Sequence, residues 1–217
     1  MPFKSGFVTI LGKPNSGKST LLNALLGEKI SIITSKAQTT RHRIKGILTT
    51  KDYQIVFSDT PGVIDPKYGL HKRMMKVVTE SLEDADVIIF LLDATKEITE
   101  AEEMSKRFQE IKTLSIAAIN KSDSVVQENL SAFQDEVKKF FPESKVISIS
   151  ALKKILLDEL LNEIISLLPE HEAFFSEDEM TDRSERFIVS ELIREKIFEQ
   201  FHQEVPYSTE VAIIEWQ

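Results

Sequence analysis

An α/β fold with a mainly parallel sheet is what the sequence predicts, on three observations. Short apolar, β-prone runs alternate with stretches of helical periodicity from Phe7 to Leu168, the order that builds parallel sheets. One of those runs, Asp86 to Asp93, contains Val-Ile-Ile-Phe-Leu-Leu without a polar break, as in a strand buried on both faces. A glycine-containing loop, Gly12-Lys13-Pro14-Asn15-Ser16-Gly17-Lys18-Ser19, stands between the first strand and the first helix.

Phe7 to Leu11 reads as the first strand. Ser19 to Leu26 follows as a helix, with Leu21, Leu22, Leu25 and Leu26 at helical spacing and Gly27 at the C-cap position. Ile44–Thr50 and Tyr53–Ser58 alternate around Lys51-Asp52, which predicts an antiparallel hairpin. Leu70 to Glu83 is helical, and Asp86 to Asp93 is the buried strand. Helix Thr99–Lys112 precedes strand Leu114–Ile119, helix Leu130–Phe140 precedes strand Lys145–Ile149, and helix Ile155–Leu168 closes the series. After Pro169 the pattern changes: Thr181 to Gln203 reads as one long helix with Phe187, Ile188, Leu192, Ile193, Ile197 and Phe201 on an apolar face. Pro206-Tyr207 is expected to end it, and Thr209 to Gln217 reads as a strand.

Composition narrows the classes. The chain has 217 residues, 41% apolar and 29% charged, which suits one full domain and a remainder too short for a second. The absence of cysteine excludes disulfides, thiolate zinc sites, iron–sulfur clusters and cysteine catalysis, and favours a reducing compartment. No apolar run approaches a membrane span and the N-terminus lacks an apolar signal region, so a cytoplasmic location is expected. The net charge of −8 is uneven: residues 170–217 carry a balance of −9, and the first 169 residues +1. A broad basic footprint is missing, so the chain is a poor candidate for non-specific nucleic-acid binding.

The loop at Gly12–Ser19 has the Gly-x4-Gly-Lys-Ser spacing, between a strand and a helix. Its glycines let backbone N–H groups turn inward toward phosphate oxygens, and the helix N-terminus adds partial positive charge. Lys13, Pro14, Asn15, Ser16, Gly17 and Thr20 line such a loop, Lys18 supplies a point charge to the β- and γ-phosphates, and Ser19 offers a hydroxyl to Mg²⁺. Asp59-Thr60-Pro61-Gly62 ends a strand, where Asp59 can hold Mg²⁺ through water and Gly62 can offer its N–H to a γ-phosphate. Alone, Asp-x-x-Gly is usually a turn; its place after a phosphate loop gives it weight. Thr39 and Thr40 lie in the polar connection Thr34 to Arg43. A threonine there would complete the magnesium shell when a third phosphate is present and release the loop when it leaves, although the segment alone reads better as a solvated loop. Asn120-Lys121-Ser122-Asp123 follows another strand. Asp123 can accept two hydrogen bonds from guanine, which adenine cannot donate; Asn120 and Lys121 would brace the loop and cover the base. Ser150-Ala151-Leu152 follows the next strand, with the Ala151 N–H available to the guanine carbonyl.

These five segments, in this order, resemble the translation-factor-type branch of GTPases. The resemblance is closer to the Era family of bacterial GTPases of small-ribosomal-subunit assembly, in the TrmE–Era–EngA-type superfamily. It rests on Gly-x-Pro-Asn-x-Gly-Lys-Ser-Thr, on Ala37-Gln38-Thr39-Thr40-Arg41-His42-Arg43-Ile44 and on Asp59-Thr-Pro-Gly62. A second set lies in Thr181-Asp182-Arg183-Ser184-Glu185-Arg186-Phe187, Ile193-Arg194-Glu195-Lys196 and Val205-Pro206-Tyr207-Ser208.

The resemblance implies a P-loop GTPase three-layer fold followed by the start of an α+β KH-type RNA-binding domain. Residues 1–169 would be the GTP-binding domain, 170–180 a linker and 181–217 an incomplete KH portion, because no glycine follows Gly69 to form that domain's Gly-x-x-Gly loop. It implies a switch that binds GTP and GDP with Mg²⁺, hydrolyses GTP, binds small-subunit ribosomal RNA and assists assembly of the small ribosomal subunit. Lys18, Thr40 and Gly62 would serve catalysis, and Ser19, Thr40 and Asp59 would hold the metal. Asn15 resembles the asparagine that ligates potassium in cation-dependent relatives, which implies potassium stimulation. Val63 stands where Ras-like GTPases keep a water-orienting glutamine, which implies slow intrinsic hydrolysis. Ser16 replaces a commoner valine, and Leu152-Lys153-Lys154 stands where the family often has a glycine-containing turn. The alternative is a nucleotide-dependent module in signalling or peripheral on the inner face of the cell membrane, with hydrolysis incidental.

Overall fold

The computed structural model describes residues 2–34, 36, 39–203 and 205–215. Its strands are β1 (Lys4–Leu11), β2 (Ile44–Thr49), β3 (Tyr53–Asp59), β4 (Val87–Asp93), β5 (Leu114–Asn120) and β6 (Lys145–Ser148). They form one sheet in the order β2-β3-β1-β4-β5-β6, in which β2 is antiparallel to β3 and every other pair is parallel. The helices are α1 (Lys18–Leu26), α2 (Gly69–Glu83), α3 (Thr99–Arg107), α4 (Gln127–Phe140), α5 (Leu157–Leu167), α6 (Glu185–Gln200) and the short α7 (Val205–Ser208).

Every residue of β4 is buried, because helices cover both faces of the sheet. Ile89 and Leu91 point to the face where Leu21 and Leu22 of α1 and Leu160 and Ile164 of α5 pack. Ile88, Phe90 and Leu92 point to the other, where Val78 of α2, Met104 of α3 and Val137 of α4 pack. The period of two along one strand thus feeds two cores. Chain order reverses on either side of β1, whose neighbours are β3 and β4. The loops after β1, β3, β5 and β6 therefore gather at the carboxyl edge of the sheet, where ligands bind in such folds.

Several helix boundaries differ from expectation: the helix expected from Leu130 already begins at Gln127. The helix expected over Thr99–Lys112 stops at Arg107. The one expected from Ile155 begins at Leu157, because Ile155 is tied to Ser150 by two backbone hydrogen bonds of 3.0 and 3.2 Å. The helix expected over Thr181–Gln203 spans only Glu185–Gln200, with the Ser184 hydroxyl accepting from the Phe187 N–H. Its expected first residues are used elsewhere: Thr181 bridges Gly46, Asp182 accepts from the Lys45 N–H at 3.3 Å, and Arg183 donates to the Arg43 carbonyl. Together with the Ile47 N–H to Met180 carbonyl bond of 2.9 Å, these contacts cover the outer edge of β2.

The strand expected at Thr209–Gln217 is not formed: residues 209–215 carry no regular structure, and 216–217 lie outside the described residues. A strand needs a neighbouring edge for its backbone groups; here the Thr209 carbonyl accepts from the Arg41 guanidinium at 3.1 Å, as the Pro206 and Tyr207 carbonyls of α7 do at 3.2 and 2.8 Å. Pro206 lies within α7 and does not terminate the long helix.

α6 keeps the expected sidedness only in part, with Phe187, Ile188, Leu192 and Ile197 half-buried. Ser190, Glu191, Arg194, Glu195 and Phe198 are its buried residues, while Ile193 is 42% exposed. Among the described residues, no helix is long and apolar enough to cross a membrane.

Candidate nucleotide-binding site

β1 delivers the loop Gly12–Gly17 to the carboxyl edge, where Asn15 (φ 62°) and Gly17 (φ 98°) adopt left-handed conformations. A Cβ on Gly17 would lie 2.3 Å from Asn120 Nδ2, so only glycine fits. Gly17 is also the N-cap of α1, so no side chain of its own competes for the first-turn amides that face an incoming phosphate. Lys18 is buried, and its ammonium donates to the carbonyls of Gly12 (3.1 Å) and Lys13 (2.9 Å). Burial lowers its pKa to about 8, against the opposing pull of Asp59.

Asp59, at the end of β3, is fully buried. Its Oδ2 accepts from the hydroxyls of Ser19 and Ser31, both at 2.6 Å. Burial pushes its carboxyl up, while those hydroxyls and the Lys18 charge act in the opposite sense. Thr40 Oγ1 stands 3.1 Å from Ser19 Oγ. Thr39 turns away: its hydroxyl engages Thr34 Oγ1 at 2.6 Å and the Lys36 carbonyl at 2.7 Å. Asp59 Oδ1 is buried and has no partner among the described residues. An orphaned carboxylate oxygen among three hydroxyls is an all-oxygen, hard donor set, which fits a hydrated Mg²⁺.

Ser31 is the residue that sequence reasoning missed. It lies upstream of the threonine-bearing connection, in no motif, and only its burial and position reveal it. Asn23 fixes it there, its Oδ1 accepting from the N–H groups of Ile30 (3.0 Å) and Ser31 (2.9 Å).

Gly62 is held beside the loop by the hydrogen bond from the Val63 N–H to the Gly12 carbonyl, 2.9 Å. A Cβ on Gly62 would come within 2.8 Å of the Pro14 nitrogen. Val63 is 1% exposed and packs in the core with Leu11 and Val78, so its side chain serves packing.

At the other end, Asn120 ties two loops together: Nδ2 donates to the Ser16 carbonyl at 2.8 Å, and Oδ1 accepts from the Ala151 N–H at 2.9 Å. The Ala151 N–H expected to face a guanine carbonyl is thus taken by Asn120. Lys121 (φ 63°) pairs with Asp93 at 2.5 Å, and Asp93 also accepts from the Thr95 N–H and hydroxyl. Asp123 is exposed in a 3₁₀ turn, Ser122–Ser124, and a hydrogen bond from Ser150 holds its carboxyl below the usual carboxylate range. Leu152 is exposed beside it, and Lys13 pairs with Glu103 at 2.7 Å. A cleft of about 290 Å³ at the phosphate loop, lined also by Asn15, Ser19, Thr20 and Thr40, adjoins one of about 160 Å³ lined by Asp123, Ser150 and Leu152. The two share Gly17, Thr20 and Lys121, so the loop that carries Lys18 and the turn that carries Asp123 border one trough.

The fold and these loops define a P-loop GTPase. A family model described as a 50S ribosome-binding GTPase matches residues 7–121. GTPase Era of Alkaliphilus oremlandii is 45% identical over 212 residues, covering 97% of this chain and 72% of that protein. GTPase Era of Bordetella petrii is 44% identical over 218 residues, covering 100% and 73%. A crystal structure of Era with MgGDPNP and nucleotides 1506–1542 of 16S ribosomal RNA superposes with a TM-score of 0.90 at 44% identity, over 95% of this chain and 70% of that one. A single-residue variant of Aquifex aeolicus Era bound to GDP and AlF4⁻ gives 0.88 at 42% identity, over 95% and 71%. The chain belongs to the Era family of GTPases.

Proposed function

We propose that this GTPase is a switch whose GTP form binds small-subunit ribosomal RNA and assists small-subunit assembly in the cytoplasm. The observation that carries this reading is the likeness, at 44% identity, to an Era solved with both MgGDPNP and a 16S RNA segment. The description of the matched family model names the large subunit instead. It concerns residues 7–121 only, whereas the Era likeness extends over 95% of the chain. The curated relatives reported above are all GTPase Era, which favours this reading over a signalling or membrane-surface module.

Each site residue then has a role. Lys18, the first amides of α1 and the Gly62 N–H would bind the phosphates and stabilise charge on the transferring group. Ser19, Thr40 and Asp59 would hold Mg²⁺, whose bound charge would neutralise phosphate oxygens and relieve the burial of the Asp59 carboxylate. Asp123 would select guanine by accepting from its N1–H and exocyclic amine. The motif resemblance supports reading residues 1–169 as the GTP-binding domain, 170–180 as a linker and 181–217 as belonging to a KH-type domain. Co-sedimentation of a complete, KH-containing chain with small ribosomal subunits tests the function. We expect binding with a non-hydrolysable GTP analogue that weakens with GDP; equal binding in both states, or none, would contradict the switch.

A further inference from the structure

α6 buries three charged residues, Glu191, Arg194 and Glu195, beside Phe198, while Phe187, Ile188, Leu192 and Ile197 are only half-buried. A helix placed only for stability turns its apolar stripe to the protein; here Ile193 is 42% exposed while Arg194 and Glu195 are 3% and 2% exposed. Buried charges carry a large desolvation cost, and apolar residues of similar volume often serve stability as well. What those charges hold is the segment between α1 and β2. Arg194 Nη2 donates to the Thr39 carbonyl at 2.6 Å. Glu191 fixes the guanidinium, accepting from Nε at 2.7 Å and from Nη2. Glu195 takes the other end of the segment, its Oε1 accepting from the Ile33 N–H at 2.9 Å and its Oε2 pairing with Lys29 at 2.5 Å. The two anchors lie within two residues of the two side chains that this segment sends toward Asp59 and Ser19. Ile33 is two residues beyond Ser31, which donates to Asp59, and Thr39 directly precedes Thr40, 3.1 Å from Ser19.

We propose that Arg194 is a positioning residue for Thr40: it holds the Thr39 carbonyl from outside the sheet domain, so that the Thr40 hydroxyl faces the magnesium site. The proposal rests on the reading of Ser19, Thr40 and Asp59 as the metal-holding set. A threonine hydroxyl on a mobile segment loses entropy when it joins a coordination shell; one whose preceding carbonyl is already anchored loses less. The anchor matters only when Thr40 is engaged, which is when a third phosphate is present. Loss of Arg194 therefore discriminates between nucleotides, and general damage to the fold does not.

The test compares the parent protein with a Glu191→Leu/Arg194→Met double variant, which removes the donor without leaving a lone buried charge, and with Arg194→Lys. Affinities for GDP and for a non-hydrolysable GTP analogue are measured across Mg²⁺ concentrations. The double variant should lose at least about fivefold for the GTP analogue, the lower end of ordinary coupling between sites, and need more Mg²⁺, with GDP affinity within about twofold of the parent. Arg194→Lys, which keeps one donor but not the fork, should fall between the two; it carries the test alone if the double variant does not fold. Equal losses for both nucleotides, or no loss for either, overturn the proposal. A parent protein that binds neither nucleotide overturns instead the reading of the site itself.

Discussion

Asp123 and Lys18 sit at opposite ends of the trough and use opposite strategies. Asp123 is exposed, and the hydrogen bond from Ser150 holds its carboxyl below the usual range, which suits the proposed role of accepting from a base. Asp123→Asn replaces an acceptor-only group by one that also donates. GDP affinity should fall about 10²- to 10⁴-fold, the size of two hydrogen bonds to a charged acceptor, with preference moving to xanthosine diphosphate; unchanged GDP affinity in a competition assay refutes the role. Lys18 is buried, with its pKa lowered to about 8 from 10.5. Between those two values the unfolded chain holds a proton that the folded chain has lost, so this residue makes stability rise with pH across that window. In its proposed role Lys18 would bind phosphate as the ammonium, so that dependence has the opposite sign. Affinity for GDP should therefore decline as pH rises through about 8, and a titration that stays flat to about pH 9 contradicts this. Both residues were legible in the sequence, since each stands in a motif whose spacing has a chemical reason. Ser31 was not, because a serine outside any motif acquires its role only when Asn23 folds the chain back toward Asp59.

The loop from β6 to α5 shows what an element tolerates. Leu152-Lys153-Lys154 makes the turn without glycine, with Lys154 at φ 55° and Leu156 at φ 54°. Two non-glycine residues in the left-handed region are strained, and the bonds between Ser150 and Ile155 hold them there. Lys154→Gly should relieve part of that strain and stabilise the protein by about 0.5–1 kcal/mol after the entropy of the unfolded glycine is counted. Denaturant unfolding measures this, and destabilisation would show that the Lys154 side chain contributes more than its backbone costs. The parallel core strands were readable in advance, because burial on both faces leaves an unmistakable apolar run. The ends of α3, α5 and α6 were not. Backbone groups at Ile155 and Thr181 found partners outside their helices, which periodicity does not report. The sidedness of α6 was legible only in part for a related reason: hydropathy ranks Ile193 inside and Arg194 outside, and does not report that Arg194 has a partner in the Thr39 carbonyl.

At the scale of the molecule, the segment between α1 and β2 is held from two sides. The sheet side grips it through Asp59, Ser19 and Asn23, and α6 with the residue that follows it grips it through Glu195, Arg194 and the carbonyls of Phe198 and Phe201 that accept from Lys36. Strengthening one grip should strengthen the other, since linkage between two sites is reciprocal. Amide hydrogen exchange, with Mg²⁺ and either GDP or a non-hydrolysable GTP analogue bound, tests this most directly. We expect the analogue to slow exchange in residues 29–43 and in α6 together, with α2 to α5 unchanged. Slowing confined to residues 29–43, with α6 exchanging alike in both states, would contradict the claim that the nucleotide is sensed through this segment by the second region.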